Sequence, residues 1–373
     1  MTRSALPPTA LPLAALAAAA LAAGAASAQT TLSYATHIPS SHVLAQNGIE
    51  PMVARLAAHP EAPLAVQVHY AGAVAAHGAV LTGIRDGLVD SGFLADVYAP
   101  QELPNSTLIS FMTLSGADAR VMSGVASEVR LLHCPGCVEE LAELDQFLLS
   151  AMSLSPQYLF CTSRVESVAD LRGKQIATPA ATGRFFAGLG AVPTNMPITD
   201  SYEALGRGQI DCVTGVETFL RDYSFWDHAK YVLDMSLGTY HGAITVMSRA
   251  KWEALTEAER AALAAEQARM TAEGGYAYHD ASAEVRGLAE ADHGVTFVTP
   301  SADLLEALEA ALAAEAEAAI EQGTRRGATD PAALVAAFGE SVAKWTAILD
   351  KIGDDRDALA AALQREVFDK VSY

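Results

Sequence analysis

The stretch from Ser167 to Trp226 alternates short apolar runs with helical ones, and that alternation constrains the fold more than any other feature of the chain. Asp170-Leu171-Arg172-Gly173 predicts a turn, and 174–178 a short strand ending at Pro179. Residues 184–189 have helical spacing, with Phe185, Phe186 and Leu189 on one face. Val192-Pro193 opens the next extended run, 201–206 predicts a second helix, and 210–214 a buried strand. Strand, helix, strand, helix, strand at this tempo predicts a parallel sheet with helical crossovers. Ligands on such sheets sit beyond the carboxyl ends of the strands. Those ends are 177–179 and 215–218, so function is expected there.

Upstream, 31–36, 64–70 and 89–93 read as strands, with a glycine-stopped helix over 76–87. His37 and Asp96 to Tyr98 leave two of those strand ends, on one edge of a first α/β unit. Residues 115–149 read as mostly helical, interrupted at Cys134-Pro135-Gly136-Cys137. The strand at 240–247 reads as leaving the second unit. Thr256 and Glu259 form a capping box that opens a long helix to about residue 290. A short strand at 295–298, helices at 303–324 and 331–352, and a polar tail at 354–373 with one helical stretch follow. No internal repeat and no linker-like segment is visible, so two units must be joined by structured crossings.

The first residues read as a secretory signal: Arg3, an Ala/Leu run over 11–23, then Ala26-Ser27-Ala28 as an A-x-A site with cleavage before Gln29. A membrane anchor is the other reading, but the run is too short and alanine-rich. No later run reads as long enough to span a membrane, so the mature chain is expected to be soluble. The formal charge is −20, which argues against a nucleic-acid partner, since those proteins carry basic patches. It leaves the charge of any small ligand undecided.

Four cysteines remain: Cys134, Cys137, Cys161 and Cys212. In an exported chain they are free to pair in three ways. Cys134 and Cys137 read best as a structural disulfide, because zinc would need two more ligands at a recognisable spacing. Cys161 and Cys212 lie in two buried strands, either as partners or simply as core. Gly188-Leu189-Gly190 lacks the third glycine and downstream acid of a dinucleotide fingerprint and reads as a helix end. There is no Walker A, no H-E-x-x-H and no G-x-S-x-G motif. His37 and His42 are poorly spaced for a metal. No catalytic residue, metal or cofactor is therefore expected.

Several pieces in combination resemble the solute-binding proteins of tripartite ATP-independent periplasmic (TRAP) transporters, the DctP-like family. They are Asp170-Leu171-Arg172-Gly173-Lys174-Gln175-Ile176, Leu189-Gly190-Ala191-Val192-Pro193, the run from Ser201 to Asp211, Ala229-Lys230-Tyr231-Val232, and Lys251-Trp252 with Leu255. Gly83 to Asp90 with Tyr98 and Pro100 fits the family's first half. The resemblance implies a non-enzymatic, two-domain periplasmic-binding-protein-like α/β fold that closes as a venus flytrap, with a long helix spanning both domains. It implies capture of a small polar organic solute in the cleft and delivery to the permease subunits. The expected division is 29–155 plus about 249–290 for the first domain, 156–248 plus about 291–352 for the second, and 353–373 as a tail. A monomer is expected, with a dimer left open. An exported enzyme or a sensor-partner ligand-binding protein on the same fold is the alternative.

The family usually carries an arginine, which pairs with a substrate carboxylate, where this chain has Ala177. Three readings follow. Arg184 replaces the lost charge at a helix start. Or the ligand is neutral or cationic, held by Glu217, Asp96 and the rings of Tyr98, Trp226 or Tyr240. Or the cleft uses backbone and amide groups such as Gln157. His37, at its strand end, completes the candidates.

Overall fold

The computed structural model describes residues 1–2 and 29–371, so the expected signal segment lies, from Arg3 on, outside the described residues. The strands in chain order are β1 (Thr30–Thr36), β2 (Leu64–His69), β3 (Ser91–Ala95), β4 (Gln146–Met152), β5 (Gln157–Cys161) and β6 (Gln175–Ala177). Then come β7 (Val192–Thr194), β8 (Cys212–Val216), β9 (Tyr231–Leu233), β10 (Ala243–Ser248) and β11 (Thr296–Val298). They form two sheets, β2-β1-β3-β10-β4 and β11-β9-β5-β8-β6-β7. The expected crossovers are present: β6 pairs parallel with both β7 and β8, and the intervening helices are Ala180–Gly188 and Ile198–Gly206. The largest buried cluster runs without a break from Leu32 and Phe93 of one sheet to Phe160 and Val213 of the other.

Three expectations need correction. The helix expected through residue 149 stops at Ala142. Asp145 then takes a left-handed φ of 55°, which ends helical propagation, and β4 begins with all seven of its residues buried. Second, residues 243–248 belong to the first sheet, antiparallel between β3 and β4. The chain crosses from sheet to sheet around Gly238, at φ 74°, where a Cβ would collide with the Thr113 carbonyl oxygen. Third, helix Pro331–Ile352, assigned above to the second unit, packs on Ala119–Leu132 beside the first sheet. Its length and composition would also suit a membrane span, contrary to the expectation of none. Here it buries Leu334, Phe338 and Trp345, and the Trp345 indole donates to Glu128 at 2.6 Å. The helical stretch expected in the tail is present: helix Arg356–Glu366 buries Leu359, Ala362 and Leu363 against the long helix.

That long helix, Glu257–His293, has the expected capping box at Thr256 and Glu259. At 37 residues it is about 55 Å long. It touches Ala119–Leu132 and β4 of one half and Phe219–Asp222 of the other. Both disulfides are formed, Cys134–Cys137 and Cys161–Cys212. The second joins directly opposed residues of β5 and β8.

Candidate ligand-binding site

The carboxyl ends of strands from both sheets meet around one cavity of about 80 Å³, room for several waters or a small organic molecule. From the first sheet come His37 and His42 after β1, and Phe93, Val97 and Tyr98 at the end of β3. From the second come Ala177, Thr178 and Pro179 after β6, with Thr214 and Val216 of β8 and then Phe219 and Tyr223. Gln157 and Tyr240, near the crossing, and Tyr278 of the long helix close the remaining sides.

The wall is mostly aromatic. His37 stacks on Phe93 at 5.7 Å and on His77 at 4.6 Å, and His77 meets Tyr98 edge-on at 4.6 Å. Around His42 stand Phe219, Tyr223 and Tyr278, with ring centroids 5.6 to 6.0 Å away. Burial disfavours the charged imidazolium. It holds His37 well below its ordinary value, with His77 and His42 adding, and pushes His42 down to about 3, with Arg221 adding. Burial also pushes the Tyr98 phenol up to about 12.

Four buried polar atoms on this wall have no hydrogen-bond partner: His37 Nδ1, His42 Nε2, Gln157 Nε2 and the Tyr223 hydroxyl. Such atoms are costly to bury unpaired. By contrast, Thr214 Oγ1 donates to Thr178 Oγ1 at 3.0 Å, and Thr178 Oγ1 pairs with Thr182 Oγ1 at 2.6 Å. Thr182 Oγ1 donates to the Pro179 carbonyl at 3.2 Å. Two bonds bridge the walls: Ile198 N donates to the Tyr98 hydroxyl, and His77 Nε2 pairs with Thr199 Oγ1, each at 3.2 Å.

Of the eight residues expected at the site, the structure brings His37, Tyr98, Gln157 and Tyr240 together on the cavity wall and leaves four outside it. Asp96 is turned inward to Arg130 at 2.9 Å, and accepts from Ser106, Ser110 and the Tyr240 hydroxyl. Glu217 pairs with Arg286 at 3.3 Å. Both carboxylates are buried, and a buried carboxylate is held where a cation meets it. Arg184 lies over the Phe111 ring at 4.9 Å, away from the cavity. Trp226 stacks on His293 at 3.7 Å. The sequence reading missed His42, Phe219, Tyr223 and Tyr278 as wall residues. For Phe219 and Tyr223 the signal was their place just after β8. For Tyr278 there was none, because nothing local says which helix face meets the cavity. Among the described residues no cluster of three His, Cys, Asp or Glu side chains could hold a metal.

Residues 159–322 match the model of the bacterial extracellular solute-binding protein family 7, DctP. Over these residues the chain is similar to this family. The description of that family is of solute-binding proteins. Solved structures support the same two-sheet fold. A TRAP solute-binding protein from Rhodoferax ferrireducens, in complex with copurified benzoate, is 18% identical with a TM-score of 0.76, over 86% of this chain and 99% of that one. A marine metagenome TRAP protein specific for aromatic acid ligands, solved with metahydroxyphenylacetate, is 21% identical with a TM-score of 0.75, over 85% and 99%. A Bordetella pertussis extracytoplasmic solute receptor binding pyroglutamic acid is 20% identical with a TM-score of 0.72, over 83% and 99%.

Proposed function

We propose that this DctP-like protein closes over a small organic solute in the inter-sheet cavity and hands it to the membrane permease of a TRAP transporter. The observation that carries this reading is the construction of the cavity. Its walls come from both sheets and are bridged by Tyr98 to Ile198 and His77 to Thr199. Two units hinged at the crossings would open that gap and close it again, and closing excludes water and strengthens each polar contact inside. One unit is built on β1–β4 and β10, the other on β5–β9 and β11. His37, Tyr98, Gln157 and Tyr240 would touch the solute, joined by His42, Thr214 and Tyr223. The unpaired atoms on the wall support this, since a ligand would satisfy them. Export to the periplasm follows from the signal segment ahead of Gln29.

The test is a thermal-shift screen over organic acids, amides, amines and polyols, followed by recovery of the compound that binds. A solute at a hundred times its Kd adds about 2.7 kcal/mol to stability and is recovered unchanged. Recovery of a chemically altered compound would favour the enzyme alternative.

A further inference from the structure

We infer that the cavity takes its solute in an uncharged form: a small, flat, ring-bearing molecule that presents a carbonyl or hydroxyl oxygen. This deepens the solute-binding reading above and rests on it. Among the described residues, no Lys, Arg, Asp or Glu lines the cavity. The charges just behind the wall are already matched. Asp96 pairs with Arg130, both fully buried, Asp222 pairs with Arg221 at 3.0 Å, and Glu217 pairs with Arg286. A carboxylate or ammonium sealed inside would lose its hydration and meet no counter-charge, a penalty neutral dipoles do not repay. The histidines supply no cation, because burial keeps them neutral. Helix Ala180–Gly188 starts just after Pro179, and its partial positive end suits a neutral oxygen as well as an anion.

The polar hooks suit the same chemistry. Leu44 N donates to His42 Nδ1 at 3.2 Å, so the neutral ring carries its proton on Nε2. That N–H is buried without a partner, and Asp222 Oδ2 stands 3.9 Å away, beyond a hydrogen bond. Gln157 Nε2 is a second unpartnered donor. With the Tyr223 hydroxyl, also unpartnered, these free donors call for an oxygen acceptor. Thr214 uses its own hydrogen on Thr178, which leaves its oxygen free to receive a ligand O–H or N–H. The aromatic wall supplies the flat faces on which a ring packs.

The test uses the intact mature protein at pH 7 with four ring compounds of one size: benzamide, benzyl alcohol, benzoate and benzylamine. Thermal shift and titration calorimetry should show both neutral compounds binding at least about tenfold more tightly than either charged one. His42→Leu and Gln157→Leu should each weaken benzamide about tenfold with unchanged circular dichroism. If one variant fails to fold, the other carries the test. Benzoate or benzylamine binding as tightly as benzamide overturns the inference. So does the absence of any shift with all four. The solute-binding reading would then fall only if a broad metabolite screen also left the melting temperature unmoved.

Discussion

The Tyr98 hydroxyl receives the Ile198 amide at 3.2 Å, and this bond ties the exit of β3 to the start of helix Ile198–Gly206 across the mouth of the cavity. Tyr98→Phe keeps the ring and deletes the acceptor. A neutral hydrogen bond of this kind contributes about 1 kcal/mol, so the closed form should weaken and solute Kd should rise about fivefold. Calorimetric titration reads this directly. An unchanged Kd would show that the bond contributes nothing to closure.

Asp96 and Arg130 form a buried pair, with Ser106, Ser110 and Tyr240 filling the remaining carboxylate positions. Arg130→Met strands the carboxylate, and breaking such a pair costs about 3–5 kcal/mol. Urea unfolding should show that loss. Asp96→Asn added to Arg130→Met should recover part of it, because the uncompensated charge is gone. If Arg130→Met alone leaves the midpoint in place, the pair has no structural weight.

The two disulfides should differ in weight. Cys161–Cys212 spans 51 positions and Cys134–Cys137 spans three. Loop-closure entropy then assigns about 4 kcal/mol to the first and about 2 to the second. Replacing each pair with alanines and comparing urea midpoints checks the order. Equal losses would show that native-state packing, not the unfolded chain, sets the contribution.

The sheet around β6–β8 is legible in the sequence because glycine or proline punctuates its strands and its crossover helices each carry one apolar face. β4 is not, because it is buried on both faces and shows no alternation to separate it from the helix before it. An apolar run such as β10 announces a strand but not its sheet, because its pairing is non-local. The site divides in the same way. His37, Tyr98 and Gln157 flank strand ends and meet at the cavity. Asp96 and Glu217 stand at strand ends too, yet each turns to an arginine 34 or 69 residues away that no local pattern could reveal.

Stability should fall with acid through the buried histidines. Burial pushes His42 down to about 3 and His241 down to about 4. Unfolded, each takes up a proton near its ordinary value of about 6.5. The folded chain refuses that proton until much lower pH. Stability from this source is therefore whole above pH 6.5 and declines as pH falls from there, by up to about 3 kcal/mol at pH 4 for His42. Urea midpoints between pH 7 and pH 4 should drop less steeply in His42→Gln than in the parent. Parallel slopes would mean that His42 is protonated in the folded chain.

Ala177 is 1% exposed and lines the cavity where the family resemblance implies a carboxylate-binding arginine. Ala177→Arg places a long cation in a space of about 80 Å³. Overpacking of this kind costs about 1–3 kcal/mol, and the unpaired charge adds to it, so the ligand-free variant should melt below the parent. Benzoate offers the guanidinium a bidentate partner, and such charge-assisted pairs are roughly twice as strong as neutral ones. Benzoate should thus raise the melting temperature of the variant while leaving the parent almost unmoved, with the two carboxylate oxygens supplying what the neutral wall lacks. Equal stabilisation of both proteins would show that the parent cavity already holds a carboxylate, and that the residue at 177 does not decide the charge of the solute.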